Sequence, residues 1–284
     1  VTDVTRDEES SVSRRKVLRD VGKMTSAAVV MPALLGAGGS GSDGASEGGA
    51  SDSASEGGSD GDGPDAMLVP AYFHPAHFPD EWARLADPRL MAVVLNVHNG
   101  PGSARDPEFA ATVARIERAG GTVVGYIDTA YGARPAAEIE AEARRYREWY
   151  GVADVFLDQV SAEPEALGAY RRICAGLRAR KAEFLVFNHG VHPDPGYAEV
   201  ADLLVTFEGP WAAYEQVRPP AWTRELPAGR LCHLVYAVPP EACDSTLRLA
   251  RRHNAGIAYV TDGDGANPWG GLSGYFERAL ALMR

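Results

Sequence analysis

Short apolar runs recur eight times from residue 67 onward, and each ends at a polar side chain. They occupy 67–72, 90–96, 122–128, 154–158, 184–188, 203–208, 231–236 and 257–262. Val, Leu, Ile and aromatic residues dominate them, which is the composition of buried strands. Helical patterns lie between them, clearest at 107–119, 135–150, 164–180, 240–253 and 271–283. Four of those five begin at or beside a proline, which is favoured in the first helical turn. Strands alternating with helices form a parallel sheet, and eight such units predict closure into an α/β fold of the (β/α)8 TIM-barrel type. An open doubly wound sheet usually carries a Gly-rich phosphate turn after its first strand. Here that turn reads Tyr72-Phe73-His74-Pro75, and GxGxxG is absent.

The length agrees. Residues 67–284 are enough for one barrel, since the fold commonly takes about 250 residues and is built from as few as about 200. Residues 39–66 are almost wholly Gly, Ser, Ala, Asp and Glu, without aromatic or large aliphatic side chains apart from a flanking proline. Such a stretch buries too little apolar surface to offset its ordering entropy, so it reads as a disordered acidic linker. Residues 1–38 place the pair Arg14–Arg15 ahead of a short apolar run at 24–38 that contains Pro32. That layout is that of a twin-arginine-type export signal, and the run is short for a spanning helix. The barrel is therefore expected to be secreted or held at the cell surface, touching a membrane only through an uncleaved signal.

Residues 1–66 hold 12 acidic and 6 basic residues, a net of −6 out of the chain's −11, so the barrel carries −5. An acidic body disfavours nucleic acid, whose phosphates need a basic footprint. The three cysteines, Cys174, Cys232 and Cys243, are too few for a disulfide scaffold. A Cys232–Cys243 bridge is conceivable, but buried free thiols are the preferred reading.

Barrel chemistry gathers at the C-terminal ends of the strands. Those ends read Tyr72 and His74, Asn96 and His98, Tyr126 and Asp128, Asp158 and Gln159, Asn188 and His189, Glu208, Tyr236, and Asp262. Trp211 and Trp269 follow strands six and eight, and pyranose rings stack on such indoles. A polar pocket rimmed by aromatics fits a sugar. Cleaving a glycosidic bond takes one carboxyl group to protonate the leaving oxygen and a second carboxylate opposing it. Asp158 and Glu208 end buried strands, where desolvation tunes a carboxyl pKa. We assign Asp158 as nucleophile or charge stabiliser and Glu208 as general acid/base. Asp128 and Asp262 are rivals at comparable positions, and both could favour an amino sugar.

The segments LVPAYFHP, VLNVHNGPGS, VVGYIDTAYGARP, VFLDQVS, FNHG, VTFEGPW and YVTDGDGANPW resemble the spherulation-specific family 4 proteins, spherulin-4-like glycoside hydrolases. The resemblance runs in order through residues 68–283. It implies a (β/α)8 barrel that cuts internal bonds of an α-linked, galactosamine/N-acetylgalactosamine-containing polysaccharide, with neither metal nor cofactor. It implies catalytic acids after strands four and six, at Asp158 and Glu208. Many members carry Asp-Glu after strand four, where this chain has Asp158-Gln159. Gln159 cannot act as acid or base, so the role of a second carboxylate there is lost. A monomer is expected, with an extracellular or cell-surface polysaccharide as its partner.

Two readings compete. A non-catalytic carbohydrate-binding barrel at the cell surface is favoured by Gln159. A metal hydrolase would draw on His74, His77, His98, Asp128 and His189, but no HxH or HExxH spacing supports it. DGDGAN at 262–267 has Ala266 where a calcium loop needs an oxygen ligand, and reads as a turn.

Overall fold

All eight predicted runs form strands, and they pair in parallel in chain order. The computed structural model describes residues 63–283, so the proposed export signal and most of the linker lie outside the described residues. The strands are β1 (Met67–Ala71), β2 (Leu90–Leu95), β3 (Val123–Asp128), β4 (Val155–Asp158), β5 (Leu185–Asn188), β6 (Leu203–Pro210), β7 (Leu231–Tyr236) and β8 (Ile257–Val260). β1, β2, β5 and β8 are buried along their whole length, as strands covered on both faces must be. They form a nearly closed barrel of the predicted α/β class.

The seam between β8 and β1 is closed by residues ahead of β1. Ala66 bridges Ile257 in parallel, and the Asp65 and Ala66 amides donate to the Gly256 carbonyl at 2.7 and 3.2 Å. Asp65 also pairs with Arg251 at 3.0 Å. Gly63 lies so close to the Leu282 carbonyl that a Cβ there would run into it. Composition had assigned 63–66 to the linker. The structure docks them on the barrel, because their backbone groups find partners that composition does not report.

The longer helices are α2 (Pro107–Arg118), α3 (Ala136–Tyr150), α4 (Leu167–Ala179) and α6 (Cys243–Arg252). Asp106 caps α2, accepting from the Glu108 and Phe109 amides at 2.8 and 3.3 Å. α3 ends at Gly151 in the left-handed region, φ 77°. Tyr146 of α3 lies against β3 because Gly125 has no side chain, since a Cβ would sit 2.7 Å from the ring. α1 (Pro79–Arg84) was not predicted, although its PDEWAR sequence puts proline at the start. The first turns predicted at 164 and 240 are 3-10 segments, Pro164–Ala166 and Pro240–Ala242. α7 is only Phe276–Ala281, because residues 271–275 form a turn in which the Tyr275 amide donates to Ser273 Oγ at 3.2 Å.

Two crossovers depart from the regular pattern. After β5 there is only a 3-10 segment, Pro195–Glu199, and after β6 only the single turn α5 (Trp211–Tyr214) with two 3-10 segments, Ala221–Glu225 and Ala228–Arg230. Pro193 and Pro195 interrupt the first stretch, and Pro219 and Pro220 follow the second, so neither sustains a longer helix. All three cysteines are buried and free, in line with the preferred sequence reading.

Candidate active site

Asp158 and Glu208, from β4 and β6, meet through Asn188 on the strand between them. The Asn188 side-chain amide donates to Asp158 Oδ1 at 2.6 Å and to Glu208 Oε2 across a very short contact. Its own Oδ1 accepts from the Gly190 amide at 3.1 Å, which fixes the direction of the group. Tyr126 of β3 donates its hydroxyl to Asp158 Oδ2 at 2.7 Å. The Trp269 indole N–H donates to Glu208 Oε1 at 3.0 Å. All four carboxylate oxygens are thus engaged by side-chain donors.

Burial pushes both carboxyl pKa values above the usual carboxylate range. For Glu208 the charge of Asp158 adds to burial, opposed by the donors Asn188 and Trp269. For Asp158 the Tyr126 hydroxyl, the Gln159 amide and Asn188 oppose burial, and the charge of Asp128 adds to it. Burial also raises the Tyr126 phenol, helped by Asp158, so it remains a donor.

Glu208 faces a cleft of about 580 Å³ at the C-terminal end of the barrel. Tyr72, Asn96, His98, Tyr126, Tyr236 and Trp269 line it with Glu208, all of them singled out from sequence. Asp158 and Asn188 join them through the hydrogen bonds above, without lining the cleft. Asn188, read from sequence as a substrate contact, instead holds the two carboxylates together. Trp269 is only 4 % exposed, so it orients Glu208 rather than offering a free stacking face. Trp211 packs partly buried against the core.

The remaining candidates are engaged elsewhere. His74 pairs with Asp106 at 3.2 Å and sets its ring on Phe109. Asp128 accepts from the Ala130 amide at 2.6 Å, closing its own loop. His189 is buried against Tyr197, its Nδ1 3.1 Å from the Ser161 carbonyl, and burial pushes it down to about 4. Asp262 accepts from the Gly274 amide at 3.1 Å. Gln159 has φ 49°, and its carbonyl accepts from Thr129 Oγ1 and the Tyr131 amide, both at 2.7 Å. The residues weighed as metal ligands do not converge: no group of three or more His, Cys, Asp or Glu is placed to hold an ion among the described residues.

Sequence reasoning missed the segment 265–268, which borders the cleft beside Trp269. Asn267 ties it across the mouth, donating to the Tyr72 carbonyl at 3.1 Å, while the Tyr72 amide donates to the Trp269 carbonyl at 3.1 Å. The overlapping stretch 262–267 was read only as a turn. Its position beside Trp269 was the available signal.

The model of spherulation-specific family 4 matches residues 66–283. Spherulin-4 of Physarum polycephalum is 29 % identical over 149 residues, covering 51 % of this chain and 45 % of that protein. The chain thus aligns with less than half the length of that relative. Among solved structures, Aspergillus clavatus Sph3, crystallised in complex with GalNAc, superposes with a TM-score of 0.69 at 22 % identity. The match covers 78 % of this chain and 99 % of that one, and it carries the barrel architecture.

Proposed function

Because the chain belongs to spherulation-specific family 4, we propose that it is a glycoside hydrolase cutting internal bonds of a galactosamine/N-acetylgalactosamine-containing polysaccharide. The observation that carries this is the Asn188 amide shared by two desolvated carboxylates at the mouth of the barrel. The GalNAc bound by Sph3, on a barrel of the same architecture, supports the sugar class.

Glu208 faces the cleft, and burial beside the Asp158 charge favours its protonated form. It donates that proton to the leaving glycosidic oxygen as the C1–O bond breaks. Asp158, held by Tyr126 and Asn188, opposes the positive charge growing at C1, as nucleophile or stabiliser. Water then adds at C1 and returns a proton to Glu208. One nitrogen bonded to both carboxylates brings their nearest oxygens within two short hydrogen-bond lengths, at most about 5 Å. That favours the close spacing of retaining enzymes, about 5–5.5 Å, over the wider inverting one. The reaction takes place outside the cell, after export through the Arg14–Arg15 signal. Replacing both arginines by lysine should retain the protein inside.

The direct test is incubation of acetylated and deacetylated galactosamine polymers with the wild type, Asp158→Asn and Glu208→Gln, following new reducing ends. Release by the wild type, lost in both variants, is expected. A polymer bound but never shortened would establish the binding-barrel reading instead. Activity surviving both substitutions would remove this pair from the chemistry.

A further inference from the structure

An internal cut requires sugar units on both sides of the broken bond, and the 580 Å³ cleft draws most of its lining from one part of the mouth. Its lining comes from β1, β2 and the loop after β8, with single side chains from β3, β6 and β7. The loops after β4 and β5 contribute nothing to it. In an eight-stranded barrel β4 stands opposite β8, so the far side of the mouth is the rim formed after β3, β4 and β5.

That rim holds both large hydrophobic side chains that are exposed among the described residues, Tyr131 at 66 % and Val191 at 55 %. Tyr131 follows β3 and Val191 follows β5, flanking the strand that ends in Asp158. Isolated exposed apolar groups need no explanation, but two on the loops either side of the strand that ends in Asp158 do.

The Tyr131 ring is held out by a rigid backbone. Ala130 and Tyr131 both adopt positive φ, 46° and 54°, which is strained for side-chain-bearing residues. The Tyr131 amide donates to the Gln159 carbonyl at 2.7 Å. Thr129 Oγ1 reaches the same carbonyl at 2.7 Å, and Arg134 Nη1 reaches the Asp128 carbonyl at 2.6 Å. The loop after β3 is thereby bolted to the residue that follows Asp158. Neither tryptophan belongs to this rim: Trp269 lines the cleft with its indole N–H on Glu208, and Trp211 packs partly buried after β6.

We infer that Tyr131, with Val191 beside the path, is an outer subsite that stacks a pyranose unit of the polymer on the side of the scissile bond away from the cleft. The aromatic face meets the C–H face of the sugar, and the strained loop keeps it preorganised. The placement relative to the scissile bond rests on the hydrolase reading, whereas the polymer contact does not.

The test compares wild type, Tyr131→Asn, Tyr131→Phe and Val191→Asp. Asn tolerates the left-handed backbone while removing the ring, and Phe keeps the ring without the hydroxyl. Each is titrated calorimetrically with a soluble galactosamine/N-acetylgalactosamine polymer and assayed on that polymer and on a short aryl glycoside. Tyr131→Asn and Val191→Asp should weaken polymer binding about two- to tenfold, as losing one ring contact implies, while Tyr131→Phe binds like the wild type. The ratio of polymer to short-substrate kcat/KM should fall in step with Tyr131→Asn, and thermal melts should stay within a degree or two. Polymer binding unchanged in Tyr131→Asn overturns the subsite. A wild type that binds polymer through Tyr131 without shortening it overturns the hydrolase reading and leaves the subsite standing. A wild type that binds no such polymer overturns both.

Discussion

The two ends of the barrel handle polar groups in opposite ways. At the end where the strands begin, charge is committed to the backbone. Arg230 is buried with its guanidinium on three carbonyls, those of Asp202 at 2.6 Å and of Ala198 and Ala201 at 2.7 Å. Asp202 accepts from Arg178 at 2.5 Å and from the Leu185 amide at 2.7 Å. At the end where the strands finish, Asp158 and Glu208 are held chiefly by the side chains of Tyr126, Asn188 and Trp269 and stay desolvated. Backbone strain divides the same way. Lys181 and Asn254 adopt positive φ just past α4 and α6, where a left-handed residue stops a helix. Asn99, Ala130, Tyr131, Gln159 and Ala237 adopt it in loops after strands, where no helix needs stopping. One end closes the fold, and the other keeps chemistry at the cost of stability.

The largest expected effect falls on the finishing end. Glu208→Gln should lower kcat on the polymer by about 10²–10⁴-fold, the range for losing a general acid/base, with the melting temperature not reduced. On the starting end, Arg230→Met should do the converse. It strands three buried carbonyls and should cost on the order of 3 kcal/mol, or about 6–12 °C in Tm, with kcat unchanged. A matching fall in kcat would break the division of labour. Asn188→Ala should come next, at about 10–100-fold in kcat, because the carboxylates lose their shared donor and their pKa values rise further. The signature is an upward shift of the pH–activity profile, which a purely structural lesion would not produce. A product anomer in NMR that differs from the wild type's would show that the spacing had opened.

The smallest effect is a matter of sign. Asp158 and Glu208 hold their protons more tightly folded than unfolded, chiefly through burial. That contribution to stability is full below their unfolded values, and it is lost as pH rises through the folded ones. Asp87, ahead of β2, behaves oppositely, since Arg89 holds its carboxyl below the usual range. Its contribution is present above the unfolded value and is lost as pH falls through the folded one. Glu208→Gln should therefore be more stable than wild type at pH 7 and lose that advantage below about pH 4. Urea titrations at the two pH values decide it. An advantage independent of pH would show that the carboxylate is not the cause.

How much of this was legible depended on whether a residue's role is local. The strands were, because a buried parallel strand must be apolar along its length, and observed limits fall within two residues of those read. The carboxylates were placed by the same logic, at strand ends. The crossovers after β5 and β6 were not, since composition does not say how much chain a barrel needs to cover one strand. Asn188 was recognised as polar and well placed, but its bridging role depends on two strands it does not belong to. Trp269 was named for its face and serves through its N–H. Tyr131 was passed over inside a quoted segment, because nothing in sequence separates an aromatic that packs from one that protrudes.

The seam carries a last consequence, for where the chain can be cut. Asp65 and Ala66 join β8 to β1, and Gly63 rests on Leu282 beside the final helix. A protease trimming to Met67 would spare every strand residue yet unfasten a clasp, leaving β1 with an open edge able to recruit another chain's strand. A cut upstream of Gly63 would keep the clasp shut. The functional edge of the barrel thus lies ahead of its first strand, and a cut at Met67 should yield material more prone to self-association.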